Sequence, residues 1–359
     1  MEEGKKDRQT GWKRNILIIA GFVLLVAVAT AVLYYNHLLN LINRPEETAV
    51  PTVQITAEAT VPSETSPEET WPQIVSDEKI TNIMLVGQAA REGETARIAD
   101  TMILCSINRE TKTLTLTSLM RDLRLVWPEF RDKDGKPHWG HNRINMAYNM
   151  GYKWAGKPQG GMELLSSIVE HNFGVKVDHA IEVNFDVFSR VVDLLDGVTV
   201  DISEAEYNYL KKNAKWTDDL APGRNTLNGY HALCYARMRK VGNGDYERTE
   251  RQRRIITLLI DKLREKNILE TLALFEEILP MITTEMTNRE ITNYAFEFIP
   301  MLKDLKIQSQ RIPFDGTYWN VTVEIEGQPV PDSQIDCNAK ENGRLLRQSL
   351  GMEETPAGD

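Results

Sequence analysis

The chain has 359 residues, enough for one large domain or two ordinary ones, with a core that needs no covalent staples. Its formal net charge of −10 argues against a protein that coats nucleic acid through its overall field, because such proteins present a basic face and usually a basic total. Three scattered cysteines, Cys105, Cys234 and Cys337, are too few for a disulfide framework or a zinc knuckle and read as small core or surface residues.

In chain order, Lys5, Lys6, Arg8, Lys13 and Arg14 precede an uncharged apolar run, ILIIAGFVLLVAVATAVLYY, over residues 16–35. That run has the length a helix needs to cross a hydrocarbon core of roughly 30 Å, and it is longer than the apolar part of a signal peptide. With only Arg44 following closely, the positive-inside bias predicts a cytoplasmic tail over 1–15, a single transmembrane helix over 16–35, and everything later outside the cell. Residues 36–79, rich in Pro, Thr, Glu and Ser, read as a solvated tether.

From Ile80 the pattern becomes globular. TNIMLVG, TMILCSI and TLTLTSL are β-favouring runs, GGMELLSSIVEHNFG reads as a helix closing at Gly174, VDHAIEVN as a strand, and FDVFSRVVDLLDG as a helix closing at Gly197. Strands interleaved with helices predict an α/β domain over 80–350, with a central mixed sheet covered by helices on both faces and a short tail over 351–359. The stretch after about Thr271 shows no separate chemistry and reads as completing that domain.

Positive charge is concentrated in YARMRKVGNGDYERTERQRR, residues 235–254. If YARMR is a strand, Arg237 and Arg239 share one face, and an anion bridging them removes their repulsion. A helix reads from about Thr249 to Lys262 with an apolar stripe at Ile255, Ile256, Leu259 and Leu263. Projecting that stripe backward places Gln252 and Arg248 on it, at a helix amino terminus suited to an anion, while Arg253 and Arg254 fall on the solvated side. The plainer use of Arg248 is a cap paired with Asp245 or Glu250. TLTLTSLMRDLR sets Arg121, Asp122 and Arg124 after a strand, at the edge where open α/β sheets hold ligands. A further loop carries Arg91 and Arg97 ahead of Asp100.

Together NIMLVG, ARIADTM, SLMRDLR, HNRINMAYNMG, DHAIEVNFDVFSRVVDLLDGVTVDI and LNGYHALCYARMRK with GDYERTERQR resemble, in order, the motifs of the LytR-CpsA-Psr family of bacterial envelope proteins. The resemblance implies an enzyme that moves a glycopolymer from a polyprenyl pyrophosphate carrier onto peptidoglycan, forming a phosphodiester. It assigns Arg121, Arg124, Arg237, Arg239, Arg248 and Gln252 to the pyrophosphate with Arg143 in support, and Asp100 to Mg²⁺. The family's usual second acid is here Ala89, which leaves one carboxylate for the metal. Arg121, Arg237, Arg239 and Asp100 are the expected catalytic group. Phe185, Phe188, Val191, Val192 and Leu195 are candidates for a lipid slot or for core. Capture of lipid-linked polymer without catalysis, and hydrolysis of the pyrophosphate, are the competing readings; binding of nucleic acid is not expected.

Overall fold

The computed structural model describes residues 34–42, 44, 71–88, 98–214, 220–324 and 331–352. The three β-favouring runs form β1 (Ile80–Gln88), β2 (Ala99–Asn108) and β3 (Thr113–Leu119), followed by a hairpin of β4 (Arg124–Arg131) and β5 (Pro137–Arg143). Helices α1 (Ile144–Ala155) and α2 (Pro158–Phe173) lead to β6 (His179–Val183) and α3 (Phe185–Leu194). A small lobe follows: β7 (Val198–Ile202), α4 (Glu204–Asn213), β8 (Gly223–Leu227) and α5 (Gly229–Arg237). The chain continues through α6 (Asp245–Glu265), α7 (Ile268–Ile278), β9 (Thr283–Thr284) and α8 (Asn288–Met301), and ends with β10 (Lys306–Ile312), β11 (Tyr318–Val323), β12 (Asp332–Cys337) and α9 (Ala339–Leu350).

The central sheet has six strands in the order β10-β3-β2-β1-β6-β9 and is mixed: β10 runs parallel to β3 and β1 parallel to β6, while the other neighbours are antiparallel. Alternation along the strands sends Met84, Val86, Met102 and Leu104 to one face, where α1 and α2 cover them. Leu85, Ile103 and Leu116 point to the other face, against Ile256 and Ile260 of α6. Helices therefore cover both faces, as expected. A second apolar cluster joins Val192 of α3, the β7–β8 pair, Tyr235 of α5 and Ile255 of α6, so α6 is wedged between two cores. The carboxyl-terminal stretch adds β10 to the sheet edge, and Arg347 of α9 donates to the Phe173 carbonyl at 2.7 Å.

Helix α2 closes at Gly174, whose φ of 62° is the left-handed conformation that glycine adopts without steric cost. Helix α3 stops at Leu194 rather than running to Gly197, because Asp196 and Gly197 both turn left-handed (φ 60° and 77°). Helices α1 and α2 cross in near backbone contact: a Cβ on Gly151 would lie 2.2 Å from the Gly160 carbonyl oxygen. Gly151→Ala is expected to lower stability by about 1 to 3 kcal/mol, a drop of several degrees in the thermal midpoint.

The predicted anchor and tether need correction at their edges. Residues 1–33 and 45–70 lie outside the described residues, and among the described residues no helix is long and apolar enough to cross a membrane. Residues 34–40 are helical, Leu38 and Leu39 are buried, the Tyr34 hydroxyl donates to Glu276 at 2.7 Å, and the Asn288 amide donates to Asn40 at 2.8 Å. At the other end Val75 bridges to Val175, so ordered contacts begin before residue 80. In each case a few apolar side chains find a surface to cover, which an average over composition conceals. Met352, placed in the predicted tail, is buried as well.

Candidate functional site

Asp100 is the second residue of β2, beside the end of β1, where Gly87 faces Thr101 and Gln88 faces Ala99. Arg121 and Asp122 come one residue after the end of β3, and Arg124 and Arg143 face each other at the base of the β4–β5 hairpin. These positions fit the expected edge of the sheet. YARMR is not a strand: helix α5 runs through Arg237, and Met238 beyond it is extended. The alternation that suggested β structure comes instead from Ala236 and Met238 anchoring a helix end and its exit to the core. Helix α6 starts at Asp245, four residues before the predicted start, because the turn at Gly242 and Gly244 ends there and the acids Asp245 and Glu247 suit its first turn.

Three arginines from three different segments converge on Asp100. Arg121 donates to its Oδ1 at 2.7 Å, Arg239 to the same oxygen at 3.2 Å, and Arg248 approaches the Asp100 carbonyl at 3.5 Å. Asp245, which the sequence offered only as a cap partner, contacts both Arg239 (3.3 Å) and Arg248 (3.0 Å). On the other side Asp122 Oδ1 accepts from Arg121 (3.3 Å) and Arg143 (3.1 Å), Arg143 also pairs with Asp332, and Arg124 pairs with Asp336 at 3.2 Å. A chain of alternating charge results from Asp245 through Arg239, Asp100, Arg121, Asp122 and Arg143 to Asp332, and Arg124–Asp336 is a separate pair.

This corrects the expectation that the guanidiniums repel one another until an anion arrives. Most have a carboxylate of their own, so the fold does not depend on a ligand for charge balance. Asp332 and Asp336, from β12, lie in the stretch that read as chemically silent. Nothing local marks them, since only β12 docking beside β4 brings them near.

Two of the six predicted arginines remain poorly satisfied. Arg248 is 2% exposed, and its Nε and Nη1 make no hydrogen bond among the described residues, because the 3.0 Å approach to Asp245 is not aligned for one. Burial pushes its guanidinium down to about 10, partly offset by Asp245 and deepened by Arg239. Arg237 is exposed, lies 4.2 Å above the Phe185 ring, and has no ion pair among the described residues. It borders a cavity of about 80 Å³ that is also lined by Gly87, Thr101, Phe185, Phe188 and Gln252. Gln252 is thus brought to the same place, one turn along α6 from Arg248. Phe185 and Phe188 line this slot, whereas Val192 and Leu195 are buried in core. Arg254 is exposed as expected, but Arg253 is buried at 7% exposure and pushed down to about 10 by that burial. The single-stripe reading missed that α6 packs on two sides.

Gln88, 1% exposed, has an amide nitrogen without a partner among the described residues and sits across from Ala99, next to Asp100. Ala89, Arg91 and Arg97 lie outside the described residues. No three His, Cys, Asp or Glu side chains cluster to hold a metal among the described residues. The Asp100 carboxylate already accepts from Arg121 and Arg239, with Arg248 at its main-chain carbonyl, so a divalent cation fits there only with an anion that engages those guanidiniums, the anion's oxygens completing the coordination.

A model of the LytR_cpsA_psr family matches residues 48–335. Biofilm regulatory protein A of Streptococcus mutans is 28% identical over 229 residues, covering 61% of this chain and 52% of that protein. Polyisoprenyl-teichoic acid–peptidoglycan teichoic acid transferase TagU of Bacillus licheniformis is 36% identical over 182 residues, covering 50% of this chain and 51% of that protein. The chain spans about half the length of these curated relatives. A solved structure of the LytR-CPS2A-psr family protein YwtF (TagT) with bound octaprenyl pyrophosphate lipid is similar in fold, with a TM-score of 0.51 at 21% identity over 77% of this chain and 92% of that one.

Proposed function

Because the chain belongs to the LytR_cpsA_psr family, we propose that it is a membrane-anchored phosphotransferase, moving an anionic glycopolymer from a polyprenyl pyrophosphate carrier to peptidoglycan. The observation that carries this reading is the convergence of Arg121, Arg239 and Arg248 on Asp100 beside the apolar slot at Arg237 and Phe185. A charged pyrophosphate next to an apolar chain asks for that pairing of surfaces. Residues 16–35 would span the membrane, with residues 1–15 in the cytoplasm and the globular part outside.

An acceptor sugar hydroxyl attacks the phosphorus that carries the glycan. A phosphodiester forms, the bond from that phosphorus to the bridging oxygen breaks, polyprenyl phosphate departs with that oxygen, and the hydroxyl proton passes to solvent. Such a transfer needs positioning and charge neutralisation more than covalent help. Arg121, Arg239 and Arg248 bind the phosphates and stabilise the leaving one; Arg237 and Gln252 hold the headgroup where the lipid enters between Phe185 and Phe188. Arg143, tied to Asp122, and Arg124, tied to Asp336, extend the positive surface toward the acceptor side. Each phosphate oxygen that replaces a carboxylate keeps a charge-assisted hydrogen bond in place, so the exchange costs little.

Magnesium, held by Asp100, water and phosphate oxygens, would neutralise charge on the pyrophosphate. Mg²⁺ is accordingly expected to bind the protein weakly alone and at least tenfold more tightly once inorganic pyrophosphate is present, as read by titration calorimetry. Equal affinity with and without pyrophosphate would remove Asp100 from that role.

The transferase reading is tested by incubating the protein with a labelled polyprenyl-pyrophosphate-linked oligosaccharide and peptidoglycan. Label joined to peptidoglycan, with an equal amount of polyprenyl phosphate released, is the expected result. Retained lipid-linked substrate would identify a binding protein, and a free sugar phosphate formed without acceptor would identify a hydrolase.

A further inference from the structure

The β4–β5 hairpin, whose base carries Arg124 and Arg143, holds a feature that pyrophosphate chemistry does not use. A cavity of about 350 Å³ opens on it, walled by Trp127, Trp139 and Trp154 together with His138, His141 and Asn142. None of its lining residues is Lys, Arg, Asp or Glu. Trp139 is 61% exposed, an unusual placement for a large aromatic side chain. Trp127 is the reverse: 4% exposed, with an indole N–H that has no hydrogen-bond partner among the described residues.

The wall is built rather than incidental. The Trp154 ring stacks on His138 at 4.0 Å between ring centres and 13° between planes, and it meets Trp127 edge-on at 6.2 Å and Phe130 at 5.8 Å. His138 is in turn fixed by Asp132 at 3.0 Å. Two indole rings are therefore held still while a third stands in solvent at the mouth. Asn142 of the wall is the neighbour of Arg143, and Trp139 and His141 occupy alternate positions of β5 leading to Arg143. At roughly 3.3 Å per residue, Trp139 at the mouth stands about 13 Å along β5 from Arg143, and the wall continues up to Arg143's neighbour Asn142.

We propose that this cavity is the subsite for the acceptor: an uncharged run of pyranose amino sugars, as in a peptidoglycan glycan strand, lying along the hairpin with its reacting end at Arg143. This rests on the transferase reading and names where its second substrate binds. Aromatic faces carry negative charge density that attracts the C–H face of a sugar ring, and an orphan indole N–H with His and Asn side chains supplies directional contacts for hydroxyl and amide groups. A polyanionic donor chain would look for cations, which this wall lacks.

The test uses the full-length protein in detergent and follows tryptophan fluorescence. The probes are a β-1,4-linked N-acetylglucosamine tetramer, a glycerol-phosphate oligomer and octaprenyl pyrophosphate. The tetramer is expected to bind, and to bind about tenfold more weakly to Trp139→Ala, with Trp139→Phe restoring most of the affinity. Octaprenyl pyrophosphate should bind Trp139→Ala and the unaltered protein alike, which also shows that the variant is folded. The proposal is overturned if the tetramer fails to bind the unaltered protein, if Trp139→Ala binds it equally well, or if the glycerol-phosphate oligomer is the probe that depends on Trp139. Failure of octaprenyl pyrophosphate to bind the unaltered protein would instead count against the transferase reading, and the tetramer would still decide the subsite.

Discussion

Arg239→Ala is expected to slow transfer by about a hundred- to a thousandfold, the loss typical when one preorganised donor to a developing negative charge is removed, while barely moving the melting temperature. Stability is spared because neither acid that Arg239 contacts is orphaned: Asp100 keeps Arg121, and Asp245 keeps Arg248. The Arg239 side chain is 40% exposed, and pairs that wet contribute only about 0.2 to 1 kcal/mol. A steady-state transfer assay beside a thermal melt checks both halves. Full activity in this variant would remove the cluster from the chemistry.

The second large effect runs against intuition. Arg248 is almost wholly buried, and its guanidinium titrates near 10 because burial disfavours the charged form more than Asp245 favours it. A folded-state value below the unfolded one means that the charged arginine opposes folding, and the penalty is complete everywhere below pH 10, including at neutrality. Its size is on the order of 3 kcal/mol. Arg248→Met fills the same space without the charge, and Asp245 retains Arg239. The expected outcome is a ligand-free protein of equal or higher stability, by about 1 to 3 kcal/mol in chemical denaturation, that no longer binds pyrophosphate. A loss of several kcal/mol would mean that Arg248 is a structural strut.

Why would a fold carry such a charge? On the proposed transferase reading, a pyrophosphate headgroup would supply the missing partner for Nε and Nη1, with binding energy that a wetter arginine would not release. On that reading Arg248 is the residue at which function would oppose stability most clearly.

Much of this was legible in the chain because it rests on local rules. The alternation in TNIMLVG and TMILCSI gave strands, the stripe through Ile255 and Leu259 pointed backward to buried Arg248 and Gln252, and Gly174 ended its helix. What failed depended on long-range packing. YARMR alternates like a strand yet ends a helix, since its Ala and Met need only one core-facing step. Arg253 is buried because α6 has a second neighbour, a fact outside its own periodicity. Asp332 and Asp336 become partners of Arg143 and Arg124 only when β12 docks some 200 residues away along the chain. Arg121, Arg239 and Arg248 do come together at Asp100, but the carboxylates that balance them were invisible, and the sequence therefore suggested repulsion where the fold provides a charge-alternating network.

The most direct test is a crystal structure of the protein with octaprenyl pyrophosphate. The pyrophosphate oxygens are expected within hydrogen-bond reach of Arg121, Arg239 and Arg248, with the Arg239 contact to Asp100 opened and the first isoprene unit between Phe185 and Phe188. A headgroup bound elsewhere, with those guanidiniums still clasping Asp100 and Asp245, would contradict that expectation.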